Sequence, residues 1–165
     1  MEVQTTAYPI EILTASYQIM GEFTPRGNPA LFLNDPQVAS FRLEKGTLVP
    51  LMPGARIGEM AVGSLYVPRD EVQIVVIGNL DAQGAALLPR PLKLVCFTDT
   101  YAVRATFHTG QETRIEDVVA TSGLFLPATD AEIFALRPLM ADIGGEAPLI
   151  FIHKKAIKAF YEPTE

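Results

Sequence analysis

A sequence that recurs within one chain constrains the fold more than any single motif, because both copies have to fold alike. The segment ILTASYQIMGEFTPRG, from Ile12, lies over CFTDTYAVRATFHTG, from Cys96. Thr14 falls on Thr98, Tyr17 on Tyr101, Ile19 on Val103 and Phe23 on Phe107, all at an offset of 84 residues. Beyond it, Gly27 falls near Gly110, Phe32 near Ile115, Asn34 near Asp117, Phe41 on Leu124, Leu43 on Leu126 and Val49 on Ile133. The ends agree as well: SLYVPRDEVQIVV from Ser64 lies over LIFIHKKAIKAF from Leu149, which sets Val67 on Ile152 and Val72 on Ile157. Solenoid units are shorter, roughly 20–50 residues, so this period predicts a tandem duplication of a small domain. Residues 7–77 form the first copy and 92–162 the second. The stretch 78–91, GNLDAQGAALLPRP, carries two Gly and two Pro without strand alternation and reads as a linker.

Within each copy the apolar residues alternate. Ile10, Ile12, Tyr17, Ile19 and Phe23 interleave with Glu11, Gln18 and Glu22, and Leu92, Leu94, Cys96, Tyr101, Val103, Ala105 and Phe107 interleave with Arg104, Thr106 and His108. Period two is the signature of half-buried strands, here two hairpins. A short helix follows each, at Ala30 to Asn34 and at Thr113 to Ala120, the second with capping-box spacing between Thr113 and Glu116. Further strands are expected at 41–43, 47–51, 64–67 and 72–77, with counterparts at 124–126, 131–136, 149–152 and 156–160, about six per copy. The expected fold is mainly β: two tandem, small, partly open β-barrels, each with one short helix.

A barrel of about 70 residues has a marginal core. Yet the chain is 48% hydrophobic without a tryptophan, and its mean hydropathy is +0.22. That excludes disorder and implies that the barrels pack on each other or oligomerise. Thirteen Lys and Arg against nineteen Asp and Glu give a net charge of -6, which opposes a nucleic-acid footprint over the whole surface and an anionic membrane. The start, MEVQTTAYPIEI, has no basic n-region before an apolar run, and the longest apolar runs fall far below the roughly 20 residues of a spanning helix. A cytoplasmic protein with no membrane contact is expected. Cys96 is alone, cannot form an internal disulfide and reads as a core residue.

The second copy resembles the Sm-like family, its bacterial Hfq-type members included. The strand, polar turn and bent strand of LKLVCFTDTYAVRATFHTG are similar to the first signature of that family, and LIFIHKKAIKAF is similar to the second. The resemblance implies a small barrel of SH3 or Sm type and a basic turn that contributes to uridine binding. Lys154 and Lys155 stand in that turn before Ala156-Ile157, with His153 one residue earlier, while the first copy has Pro68-Arg69-Asp70.

Chemistry-bearing motifs are sparse. One Cys and two distant His do not build a thiolate or imidazole metal site. No Gly-x-Ser-x-Gly elbow exists, and Gly54 to Met60 lacks the Gly-Lys-Ser/Thr ending of a phosphate loop. No catalytic residue and no cofactor is expected. Candidate binding residues are His153, Lys154, Lys155, Lys158 and Tyr161, beside Phe160, the one concentrated basic feature with aromatic neighbours. The competing reading is a solvated turn whose lysines blunt an edge strand, with His108 and His153 as surface histidines. The leading expectation is a non-enzymatic binding or assembly protein that joins a protein partner or copies of itself. Alternatives are an Sm-like RNA binder, and a ligand carrier or enzyme with a pocket between the halves lined by Asn34, Asp117, Tyr17 and Tyr101.

Overall fold

The computed structural model describes residues 5–120 and 123–164. The protein is mainly β. Among the described residues ten strands form one open antiparallel sheet: β1 (Tyr8–Thr14), β2 (Tyr17–Phe23), β3 (Ser40–Pro50), β4 (Met60–Pro68), β5 (Val72–Ile77), β6 (Arg90–Phe97), β7 (Tyr101–Thr109), β8 (Phe125–Ala135), β9 (Glu146–His153) and β10 (Ala159–Tyr161). Their order is β10-β6-β7-β8-β9-β5-β1-β2-β3-β4. This is one five-strand order written twice, with the two sets joined where β5 pairs with β9.

The pairings of the second set recur those of the first. Ile12 opposite Ile19 is matched by Cys96 opposite Val103, Leu43 opposite Leu65 by Ala128 opposite Ile150, and Ile12 opposite Val75 by Cys96 opposite Phe160. Both sets also bend at the same place. Lys45 and Asp130 take the left-handed conformation, with φ of 50° and 51°, where the register slips between Met20 and Glu22 and between Arg104 and Thr106. The bulge inserts a residue, reverses the alternation and curls the sheet.

That bulge corrects the strand count. The segments expected as separate strands on either side of Lys45 and Asp130 are continuous, so each set has five strands, not six. It also corrects the alignment: Phe41 corresponds to Leu126 and not to Leu124, since they oppose Val67 and Ile152 respectively. β6 begins at Arg90, inside the segment expected as linker. The first helix, α1, spans Pro29–Leu33, with Asn28 Oδ1 accepting from the Ala30 and Leu31 N–H groups. The second is a 3-10 segment, Ile115–Ala120.

The two sets share their cores. β9 carries Leu149, Ile150, Phe151 and Ile152, all buried. Ile150 and Ile152 enter one cluster with Leu94, Tyr101, Val103 and Leu126, and Leu149 and Phe151 enter the other with Ile12, Phe23, Phe41 and Val75. A strand buried on both faces reads as a continuous apolar run, as LIFI does. β5 does the same, with Ile74 in the first cluster and Val75 in the second. Apolar residues of both sets are therefore buried together at the seam between them. Two side chains of β2 lie opposite to expectation. Gln18, expected to face solvent, is buried and donates to Glu11 Oε2 at 3.1 Å and to the Asp142 carbonyl at 3.4 Å, while Tyr17, expected inward, is exposed.

Asn34 ties the seam. Its Oδ1 accepts from the Leu124 and Phe125 N–H groups, both at 2.7 Å, and its Nδ2 donates to the Ala30 carbonyl at 3.1 Å. Replacing Asn34 by Ala strands two N–H groups in a half-buried place, and Asn34→Ala is expected to cost about 2 kcal/mol. Asn34→Asp, which keeps the acceptor, should cost less. Urea unfolding of the three proteins checks the order; an unchanged midpoint for the alanine variant would contradict it.

Candidate functional site

The basic turn is built by the end of β9. Alternation along that strand carries His153 into the seam, and its ring lies edge-on to Phe125 with centroids 5.0 Å apart. His153 is 2% exposed, so the expected surface histidine is a buried one. Its Nδ1 accepts from the Lys155 N–H at 3.1 Å and starts the 3-10 turn Lys154–Ala156. With Nδ1 accepting, the neutral ring carries its proton on Nε2, and Nε2 has no hydrogen-bond partner among the described residues. Burial is the largest influence on this imidazole and lowers its pKa; Asp70 acts in the opposite sense, and Lys155, Arg69 and Lys154 add to the lowering.

Across the seam lies the corresponding turn of the first set, Arg69–Glu71. Between the two turns is an open cleft of about 420 Å³ that takes Asp70, Glu71 and Gln73 from one side and His153, Lys155 and Lys158 from the other, with Asp99 beside them. The structure thus gathers three of the five candidate residues. Lys154 does not line the cleft. Tyr161 lies on β10 with its ring stacked on Phe97 at 6.2 Å, so it is no platform for the cleft. Asp70, Glu71, Gln73 and Asp99 were missed as site residues. The repeat held a signal for one of them, because it set Asp70 on Lys155. Chemically the cleft mixes three carboxylates with two ammonium groups, which suits complementary charge better than a phosphate backbone.

A second cavity, of about 360 Å³, lies between α1, the segment after β5 and the ends of β7 and β8. Leu31, Ala85, Leu88, Phe107, Val118 and Leu126 give it an apolar lining. Of the polar residues expected between the halves, Asn34 reaches it with its amide already committed. Tyr101 is fully buried and donates its hydroxyl to the Thr14 carbonyl at 2.8 Å, while Tyr17 and Asp117 line other grooves. His108 is half-buried on the rim, its Nε2 2.8 Å from Thr129 Oγ1, and burial lowers its pKa. Cys96 is buried as expected, and burial pushes its thiol up to about 12, so it stays protonated.

The third feature is the pair of sheet ends. Among the described residues β4 pairs only with β3, and β10 only with β6. β4 runs for nine residues, MAVGSLYVP, without a charge, and exposes Met60 and Tyr66.

Among the described residues no group of three or more His, Cys, Asp or Glu is placed to hold a metal ion, and no helix is long and apolar enough to cross a membrane. Comparison of the chain with protein-family models, with curated proteins and with solved structures finds no match.

The buried neutral His153 carries a pH dependence. Its native pKa lies below the ordinary 6.5, so the unfolded chain takes up the proton first. The stabilisation is complete above pH 6.5 and is lost as pH falls through the native value. His108 acts in the same direction, and Glu11, raised by burial, acts oppositely at lower pH. Stability measured by urea unfolding should decline below pH 6.5. The decline should shrink in His153→Asn, which keeps an acceptor for the Lys155 N–H but does not titrate; an identical profile for both proteins would exclude His153 as the source.

Proposed function

We propose that the protein is a non-enzymatic binding and assembly protein, two copies of one five-stranded unit fused into a sheet that joins further protein at its ends. The observation that carries this reading is β4. A long, uncharged, exposed edge is a template for another strand, and proteins that avoid association blunt such edges with lysine, proline or a bulge. The only such device in β4 is Pro68, at its last position. Tyr66, which is 60% exposed, and Met60 add apolar area along the same edge. The recurrence of the strand pairings supports the duplication, and the five-strand order with a 3-10 turn before the last strand is in keeping with an SH3- or Sm-type unit.

A cytoplasmic RNA-binding role has less support. The lysines it would use, Lys155 and Lys158, share their cleft with Asp70, Glu71 and Asp99, and carboxylates in the footprint repel phosphate. A second reading, carriage of a small apolar ligand, is favoured by the 360 Å³ cavity and its apolar lining. It predicts saturable binding of an environment-sensitive apolar dye, which Leu88→Arg, a charge placed on the exposed rim of that cavity, should abolish.

Light scattering of the full chain should give a mass above that of one 18.0 kDa chain. Tyr66→Lys, which places a charge on the β4 edge, should weaken the association about tenfold. A strict monomer at all concentrations would end the assembly reading.

A further inference from the structure

The seam inside the chain specifies how two chains would meet. Within one chain, β5 of the first set lies on β9 of the second, with Ile74 opposite Ile152, Val75 opposite Phe151 and Val76 opposite Ile150. Each of these strands has a counterpart. β10 takes the place of β5, since Val75 and Phe160 stand opposite Ile12 and Cys96, the matched residues of β1 and β6. β4 takes the place of β9, since Tyr66 and Phe151 stand opposite Arg42 and Pro127 in β3 and β8. Those two counterparts are the free ends of the sheet. Some of what the seam covers, the ends leave open, although Val67, the counterpart of Ile152, is buried and Leu65 and Phe160 are half-buried. Ile150 and Phe151 are 0% exposed, whereas Tyr66 is 60% exposed, and Tyr161, the counterpart of the half-buried seam residue Val76, is 52% exposed.

We propose that β10 of one chain pairs antiparallel with β4 of a second copy in the register of the internal seam: Ala159 opposite Val67, Phe160 opposite Tyr66 and Tyr161 opposite Leu65. This rests on the assembly reading above and names its partner and geometry. The contact is heterologous, joining two different surfaces, so it propagates around a closed ring or along a filament.

Charge supports the same partner. In the internal seam the first turn and the start of β5, with Asp70, Glu71 and Gln73, meet the second turn and the residues just after it, with Lys155 and Lys158. Carrying the seam to the chain ends exchanges these roles. Lys155 and Lys158 of one chain then face Asp70 and Glu71 of the next, opposite charges in the place where the internal seam also sets acid against base. The lysine cluster of the sequence thereby acquires a role in docking a second copy.

The test is disulfide trapping in a Cys96→Ala background. One chain carries Tyr66→Cys, the other Phe160→Cys, and a second set uses Leu65→Cys with Tyr161→Cys. Under mild oxidant each mixture should give a covalent dimer, and each single variant alone should not. Light scattering of the same proteins in reductant separates the two levels of the proposal. An oligomer that traps in neither mixture, or that traps in the Tyr66→Cys or Leu65→Cys chain by itself, overturns the head-to-tail register and leaves assembly standing. A monomer that never traps overturns both.

Discussion

The pairing of β5 with β9 is the interaction on which the rest of this structure depends. Only three residue pairs are made there, Ile74 to Ile152, Val75 to Phe151 and Val76 to Ile150, yet they turn two five-stranded sets into one sheet and decide where the large apolar side chains beside them go. Strands that pair at the centre of a sheet with cover on both faces bury alternate residues in different cores. That is why Ile150 and Ile152 belong to one cluster while Leu149 and Phe151 belong to the other. Burying a Phe side chain contributes about 1.5–3 kcal/mol. Neither cluster is complete without residues of the opposite set, because Leu13, Leu51 and Ile74 enter the cluster dominated by the second set and Phe125, Leu149 and Phe151 enter the other. Each set thus contributes to the core of the other, although the order of strands is a unit repeated.

The seam also explains the polar chemistry. Backbone and side-chain groups that would face water in a lone unit are enclosed here and need partners. Asn34 supplies them for Leu124 and Phe125, Gln18 for the Asp142 carbonyl, and the Thr14 carbonyl accepts from the Tyr101 hydroxyl. Asn34 and Tyr101 read in the sequence as free polar groups for a ligand because nothing in a single strand or turn reveals that another set of strands will cover them. His153 is the same case. Standing at the start of a charged turn it looks exposed, and it is buried because the sheet brings the turn Arg69–Glu71, far away in the sequence, to the other side of the same cleft.

What was legible in the sequence was local or periodic. The two hairpins, the bent second strand, the core role of Cys96 and the mainly β character follow from alternation and turn residues. The repeat was legible at the hairpins, where no residue is inserted, and slipped by two residues at Phe41, because the segments holding α1 and Ile115–Ala120 differ in length and carry few apolar landmarks. The sixth strand was an artefact of the bulges. Lys45 and Asp130 occupy a left-handed conformation that a lysine and an aspartate reach without any sequence signal as strong as glycine, and the reversed alternation beyond them looks like a new strand. Continuity of the sheet through β5 and β9 was not legible at all, since a linker with Gly and Pro suits separated barrels as well as joined ones.

A repeat whose two copies were identical would face a difficulty at its seams, because the same turn lies on both sides of each one and would set like charges together. The two sets differ at these positions, which removes it. The first set has Asp70 and Glu71 where the second has Lys155 and Ala156, and Gln73 where the second has Lys158. The internal seam then sets acidic against basic, and a head-to-tail contact between chains would set basic against acidic. Both kinds of seam would gain the same sign of interaction only where the two sets differ and alternate, which one chain holding both sets allows and a single small unit does not. On this argument the acidic turn of the first copy is no degenerate form of the basic one; each is the complement that the other requires.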